Sequence, residues 1–254
     1  MANNNKIVLV TGGSRGLGKD MAISVAKKGM DVILTYRNNK DEAEATVQAI
    51  ETLGRKGAAL QLDMANFQSL DAFVHQVTET LKSKWNTSTF DFLVNNAGMG
   101  GTVPFEKVTE EFFDEFLNVH FKSIYFLTQK CLPYLNSGGG IINISTGTTR
   151  FSNPGYSVYA SMKGAIEVFT KYLAKEIGAK GLTANVVAPG PVETDFNNAT
   201  IRNNPQLKER LSSLSPQGRV GVPEDIGPVV AFLCTEEARW INAQRIEVSG
   251  GINM

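Results

Sequence analysis

Short apolar runs rich in β-branched residues alternate with longer amphipathic runs along the chain, and this alternation constrains the fold more than any other feature. Ile7–Val10, Val32–Thr35, Ala58–Leu62, Phe90–Val94, Ile141–Ile144, Thr183–Val187 and Arg245–Val248 have the length and composition of strands. Helical patterns lie between them. Gly12 to Gly29 reads as a turn plus helix with Met21, Val25 and Ala26 on one face. Asp41–Leu53 is closed by Gly54, and Leu70–Leu81 turns Phe73, Val74 and Val77 inward. Thr109 caps a long helix whose first turn carries Glu110 and Glu111, as the macrodipole favours. Further helices run through Val158, Phe169 and Leu173 and start at Pro223-Glu224-Asp225. Strand alternating with helix predicts βαβ units, hence a single α/β domain over residues 1–254 with a doubly wound, seven-stranded parallel sheet. Gly138-Gly139-Gly140 reads as a turn before the fifth strand, and the stretch 190–216 as a substrate loop or lid.

Composition narrows the class. The 254 residues carry 25 Lys+Arg and 25 Asp+Glu, and 42% are apolar, which is ordinary for a soluble globular protein. Charge neutrality leaves no electrostatic footprint for nucleic acid. No apolar run reaches the ~20 residues needed to span a bilayer, so no membrane is expected. Met1-Ala2-Asn3-Asn4-Asn5-Lys6 lacks an apolar leader, so the expected address is the cytoplasm. Cys131 and Cys234 are the only cysteines and there are two histidines, so neither a disulfide framework nor a metal cluster is expected.

Thr11-Gly12-Gly13-Ser14-Arg15-Gly16-Leu17-Gly18 follows the first strand and opens the first helix. Glycines there permit a tight turn and a close backbone approach to a pyrophosphate, and the helix N-terminus offers free N–H groups. The second strand ends Thr35-Tyr36-Arg37, with no Asp or Glu between Val32 and Asn39 to take a ribose 2′-hydroxyl. Arg37 and Arg15 suit a 2′-phosphate instead, which favours NADP(H) over NAD(H). Tyr159 and Lys163 stand one turn apart on a helical face. A neighbouring ammonium lowers a phenol's pKa, which prepares Tyr159 for acid–base work. Tyr156, with Ala160 four residues on, is the poorer candidate. Ser145 ends the fifth strand at the carboxyl edge of the sheet, where such sheets bind ligands.

Together, Thr11–Gly18, Asn95-Asn96-Ala97-Gly98, Ser145, Tyr159 with Lys163, and Pro189-Gly190 resemble the short-chain dehydrogenase/reductase family in order and spacing. The resemblance runs from Lys6 to Ser249-Gly250-Gly251 and is strongest to the 3-oxoacyl-[acyl carrier protein] reductase-like group. It implies a Rossmann-type domain with strand order 3-2-1-4-5-6-7 and NAD(P)-dependent interconversion of a carbonyl and a secondary alcohol. By resemblance, Tyr159 exchanges the proton, Lys163 lowers its pKa and holds the nicotinamide ribose, and Ser145 bonds the substrate oxygen. The resemblance places Gly12, Ser14, Arg15, Gly16, Leu17, Gly18, Arg37, Asp63, Met64, Asn96, Ala97, Gly98, Pro189, Gly190, Val192 and Thr194 against the cofactor, with Asp63 at the adenine. Asn185 matches a structural position.

Two positions depart from the family pattern. His120 stands where the family's long helix usually carries an Asn, and Asn118 is two residues too early to replace it. Two readings follow: a proton relay near neutrality, or a buried imidazole bonded to a backbone carbonyl. Ser249 stands where Asp is common. Family members commonly form homotetramers, and Phe112, Phe113, Phe116, Val168, Phe169 and Leu173 supply apolar surface for that. Phe151, Phe196 and the 197–216 stretch are expected to line a partly apolar pocket for a small-molecule carbonyl or alcohol. The expected activity is an NADP(H)-dependent reductase of a 3-oxoacyl-type or small ketone. The alternatives are an NADP+-dependent alcohol, sugar or steroid dehydrogenase and a non-catalytic NADPH-binding protein.

Overall fold

The computed structural model describes residues 5–253; the leader reading of Met1–Asn4 lies outside the described residues. Seven strands form one parallel sheet: β1 Ile7–Val10, β2 Asp31–Tyr36, β3 Gly57–Gln61, β4 Phe90–Asn95, β5 Leu135–Ile144, β6 Thr183–Pro189 and β7 Arg245–Val248. The order is β3-β2-β1-β4-β5-β6-β7, as the resemblance implies. The helices are α1 Gly16–Lys27, α2 Lys40–Thr52, α3 Leu70–Trp85, α4 Glu110–Leu117, α5 Ser123–Cys131, α6 Ser157–Ile177, α7 Phe196–Asn203, α8 Pro205–Ser213 and α9 Pro223–Leu233.

The period of two along each strand sorts the core into two layers. Ile7, Leu9, Ile33, Leu93 and Ile141 face Leu70, Phe73, Val77, Leu127 and Ile166 of α3, α5 and α6. Val8, Val10, Val32, Leu34 and Val94 face Met21, Val25, Ile50, Ile226 and Val230 of α1, α2 and α9. Each such side chain contributes roughly 1.5–3 kcal/mol by leaving water.

Three local expectations change. Gly138–Gly140 lies inside β5 rather than forming a turn before it. The strand passes so close to its neighbours that a Cβ on Gly139 would collide with the Asp91 carbonyl of β4, and one on Gly140 with the Thr183 side chain of β6. The register also shifts between Phe90 and Phe92, so these glycines serve a bulge. Residues 190–216 hold two short helical segments, α7, broken by left-handed backbone at Asn197, Asn198 and Ala199, and α8, started by Pro205 with the Asn204 side chain accepting from Leu207 N at 3.0 Å. The long helix capped by Thr109, which accepts from Phe112 N at 3.2 Å, is α4 and α5 joined by a π-helical turn over Asn118–Lys122. Among the described residues, no helix is long and apolar enough to cross a membrane and no cluster of three or more His, Cys, Asp or Glu could hold a metal.

Candidate active site

The carboxyl ends of β1 and β4 are laced together. Thr11 Oγ1 accepts from Asn96 N and Ala97 N, both at 3.0 Å, and Asn96 Nδ2 donates to Thr11 O at 2.9 Å and Gly12 O at 3.2 Å. This lacing leaves no room for side chains. A Cβ on Gly12 would stand 2.9 Å from Ala97 Cα, and one on Gly18 would overlap the Gly12 carbonyl. Gly12 and Gly16 hold φ of 67° and 53°, which favours glycine. The Ser14 carbonyl accepts from Thr46 Oγ1, tying the turn to α2, and the Leu17 side chain packs into the core. Helix α1 begins after Arg15 with no side-chain cap and no acidic residue in its first turn. Its positive end is therefore left for an external anion, and the donor set fits a pyrophosphate.

Further along the edge, exposed Arg37 pairs with Asp63 (Nε–Oδ2, 3.2 Å), so the two adenine-end candidates touch each other, with Arg15 exposed on the turn. Met64 does not join them: its side chain is core and its carbonyl accepts from Ser123 Oγ at 2.7 Å. Pro189 ends β6. A Cβ on Gly190 would meet Ser249 Cα at 2.8 Å, so that close approach requires glycine. Val192 bridges to Gly221, and Thr194 is buried opposite Gly16. Ser249 Oγ donates to Glu247 at 3.0 Å, a packing role. Asn185 donates to Ile241 O and accepts from Gln244 N, the structural role expected of it.

Helix α6 brings Tyr159 and Lys163 to this edge. Lys163 is buried and its Nζ donates to Ile144 O at 2.7 Å, while standing 5.8 Å from the Tyr159 ring centroid. Burial pushes its pKa down to about 8. The expected lowering of the phenol by this ammonium is not what dominates. Burial pushes the Tyr159 hydroxyl up to about 12, Tyr156 adds to the rise, and a hydrogen bond from Thr146 works against it. Aromatic neighbours enforce that burial: His120 edge-on at 5.1 Å, Phe196 at 6.2 Å, Tyr156 at 6.4 Å and Phe116 edge-on at 6.5 Å between centroids.

Ser145, expected to face the phenol, turns its hydroxyl elsewhere, and the hydroxyl that hydrogen-bonds Tyr159 is that of Thr146. Ser145 is buried and its Oγ donates to Glu167 Oε1 at 2.6 Å, two helical turns beyond Tyr159 on α6. Consecutive residues at a strand end face opposite ways, so a one-residue step decides which hydroxyl meets the phenol. That alternation was the sequence signal available for Thr146. The spacing of Glu167 four residues after Lys163 was the signal for Glu167.

His120 takes the structural reading, which corrects its candidacy as a proton relay. It sits in the π-helical turn, tilted on Phe116 at 5.3 Å, and its Nε2 donates to Met99 O at 2.9 Å. Its Nδ1 is buried without a partner among the described residues. Burial, helped by the Lys163 ammonium, pushes its pKa down to about 3, so it stays neutral where a relay must exchange protons. Gly98 makes room for the ring, since a Cβ there would stand 2.9 Å from His120 Cε1. The 190–216 segment covers the site. Phe196 lies over Tyr159, and Gly100 admits Asn197 so closely that a Cβ would stand 2.9 Å from its Cα. Phe151 packs against Gly147 nearby.

The chain is similar to known proteins over nearly its whole length. A family model described as enoyl-(acyl carrier protein) reductase matches residues 12–253. The hydroxynaphthalene reductase arp2 of Aspergillus fumigatus is 33% identical over 251 residues, covering 95% of this chain and 90% of its own. The 3-oxoacyl-[acyl-carrier-protein] reductase FabG of Staphylococcus aureus is 33% identical, covering 98% of each chain. The crystal structure of the angucycline C-6 ketoreductase LanV with bound NADP superposes with a TM-score of 0.93 at 34% identity, over 98% of this chain and 96% of that one.

Proposed function

The chain belongs to the short-chain dehydrogenase/reductase family and is an oxidoreductase, and from that premise we propose that it reduces a ketone carbonyl to a secondary alcohol at the expense of NADPH. The observation that carries this reading is the convergence of Tyr159, Lys163 and Thr146 at the carboxyl end of β5, on the same sheet edge at which α1 starts uncapped. Arp2 and FabG are reductases by name, FabG of a 3-oxoacyl group, and LanV is a ketoreductase with bound NADP.

The first-turn amides of α1, from Gly16 to Gly18, hold the pyrophosphate, and Arg15 with Arg37 hold the 2′-phosphate. Asp63 would face the adenine, and Asn96, Ala97, Gly98, Pro189, Gly190, Val192 and Thr194 would wall the nicotinamide half. Bound there, NADPH supplies the hydride to the carbonyl carbon. Lys163 spends one N–H on Ile144 O and keeps two for ribose hydroxyls. Thr146 and Tyr159 donate to the carbonyl oxygen, where negative charge develops. Tyr159 then gives up its proton. A phenol held up at about 12 is protonated at neutral pH, the state a proton donor to the carbonyl oxygen needs.

Phe151 and Phe196 make the pocket partly apolar, which suits a 3-oxoacyl-type or small ketone. The protein works in the cytoplasm as a homotetramer. Exposed Val168, Tyr172 and Tyr125 on α5 and α6 line an apolar groove of about 490 Å³ that a second copy would cover. Tyr159→Phe tests the reading: turnover should fall by about 10²-fold or more, with NADPH affinity unchanged by fluorescence titration. Wild-type turnover in that variant would end the assignment.

A further inference from the structure

Behind Thr146 lies a charged cluster that the proposed reaction does not use. Glu167 Oε1 receives three donors: Ser145 Oγ at 2.6 Å, Thr149 Oγ1 at 2.8 Å and Arg245 Nε at 2.8 Å. Arg245 Nη2 also donates to Thr146 O at 3.1 Å and Thr149 Oγ1 at 3.2 Å. Its Nη1 pairs with Glu247 Oε2 at 3.0 Å, and Arg150 joins the same carboxylate. The cluster holds two cations and two anions, and the Arg245, Glu167 and Glu247 side chains are only 18%, 17% and 15% exposed. It is thus a closed, half-buried network rather than a solvated pair, and such networks hold their members more firmly than isolated surface pairs do.

The geometry has a direction. Glu167 comes from α6, the helix that carries Tyr159 and Lys163, and Arg245 comes from β7. Between them they grip both ends of the Ser145–Thr149 turn and the carbonyl of Thr146 itself. The planar guanidinium fork fixes orientation as well as distance. Ser145 is tied to Glu167 and Thr149 to the same carboxylate, while Thr148 Oγ1 donates to Thr146 Oγ1 at 3.3 Å; Thr146 thereby keeps its own proton free for the phenol, to which it hydrogen-bonds.

We propose that Glu167 and Arg245 are positioning residues that hold the Thr146 hydroxyl against Tyr159. The proposal rests on the reductase reading of the site. Neither residue touches the reacting atoms; both act through Thr146, so their effect requires that hydroxyl.

A double-mutant cycle tests this, with ketone turnover expressed per site counted by NADPH fluorescence titration. Thr146→Ala should lower kcat by about 10²-fold, the effect of removing one donor to the developing oxyanion. Glu167→Gln, which keeps shape and loses charge, should lower kcat by about tenfold through misplacement, with KM and NADPH affinity held within about twofold. The combined Thr146→Ala/Glu167→Gln enzyme should fall no further than Thr146→Ala alone. Arg245→Lys, which keeps the charge and loses the fork, provides a second arm with the same non-additivity should Glu167→Gln fold poorly. Losses that multiply in the combined enzyme, or a wild-type kcat in Glu167→Gln while Tyr159→Phe is inactive, would overturn the clamp alone. Full turnover in Tyr159→Phe would overturn the reading of the site and the clamp with it.

Discussion

Replacing His120 by Asn should flatten the acid side of the stability curve between pH 7 and 5. In the fold this imidazole titrates near 3; in the unfolded chain it titrates near an ordinary 6.5. The folded value is the lower one, so between the two the unfolded chain binds a proton that the native protein refuses. The contribution is therefore full above pH 6.5 and is lost as pH falls towards 3. Each unit in that window costs about 1.4 kcal/mol, which makes roughly 2 kcal/mol between pH 7 and 5, and roughly 5 kcal/mol over the whole window. For a chain of this length, 2 kcal/mol corresponds to a Tm change of about 4–8 °C. The other histidine, His75, is exposed on α3 and is present in both proteins, so the difference isolates His120. Asn at 120 does not titrate and can still donate to Met99 O. Thermal melts of both proteins at pH 7, 6 and 5 measure the effect. Wild type should lose about 4–8 °C more than His120→Asn; parallel curves would refute the burial argument and reopen the relay.

Three further outcomes follow from the same geometry. Gly98→Ala forces a methyl onto His120, which is wedged between Phe116 and Tyr159. It should cost about 1–3 kcal/mol in denaturant melts, and His120→Asn in the same chain should recover part of that; an unperturbed melt would show that the ring can move. Arg37→Asp removes a partner for the 2′-phosphate and sets a second carboxylate beside Asp63. It should weaken NADPH by about tenfold or more while sparing NADH; an unchanged ratio of affinities places the determinant elsewhere. Val168→Glu puts a charge on the exposed apolar groove of α6. It should reduce the mass seen by light scattering below that of wild type, and an unaltered mass would remove this groove as the interface between copies.

Periodicity alone was enough to place seven strands, the principal helices and the two core layers, because burial on a parallel sheet leaves its mark residue by residue. The glycine turn and the Tyr159–Lys163 pair were legible for the same reason: each is a short-range arrangement set by local backbone geometry. What escaped depends on contacts between residues far apart in the chain. Ser145 and Thr146 are both plausible hydroxyls at a strand end, and only Glu167, reaching across from α6, shows which one is occupied elsewhere. Arg37 and Asp63 look like independent binding groups until β2 and β3 bring them together. The Gly138–Gly140 bulge answers to the backbones of β4 and β6, and the π-helical turn that carries His120 departs from the 3.6-residue period that the sequence pattern assumes. The ionisation of Tyr159 was likewise undetermined from i, i+4 spacing, because it is set by burial among aromatic rings from three parts of the chain, which raises the phenol. Local pattern determined the elements; dielectric environment and hydrogen-bond partners are properties of the packed whole, and they decided the chemistry of the site.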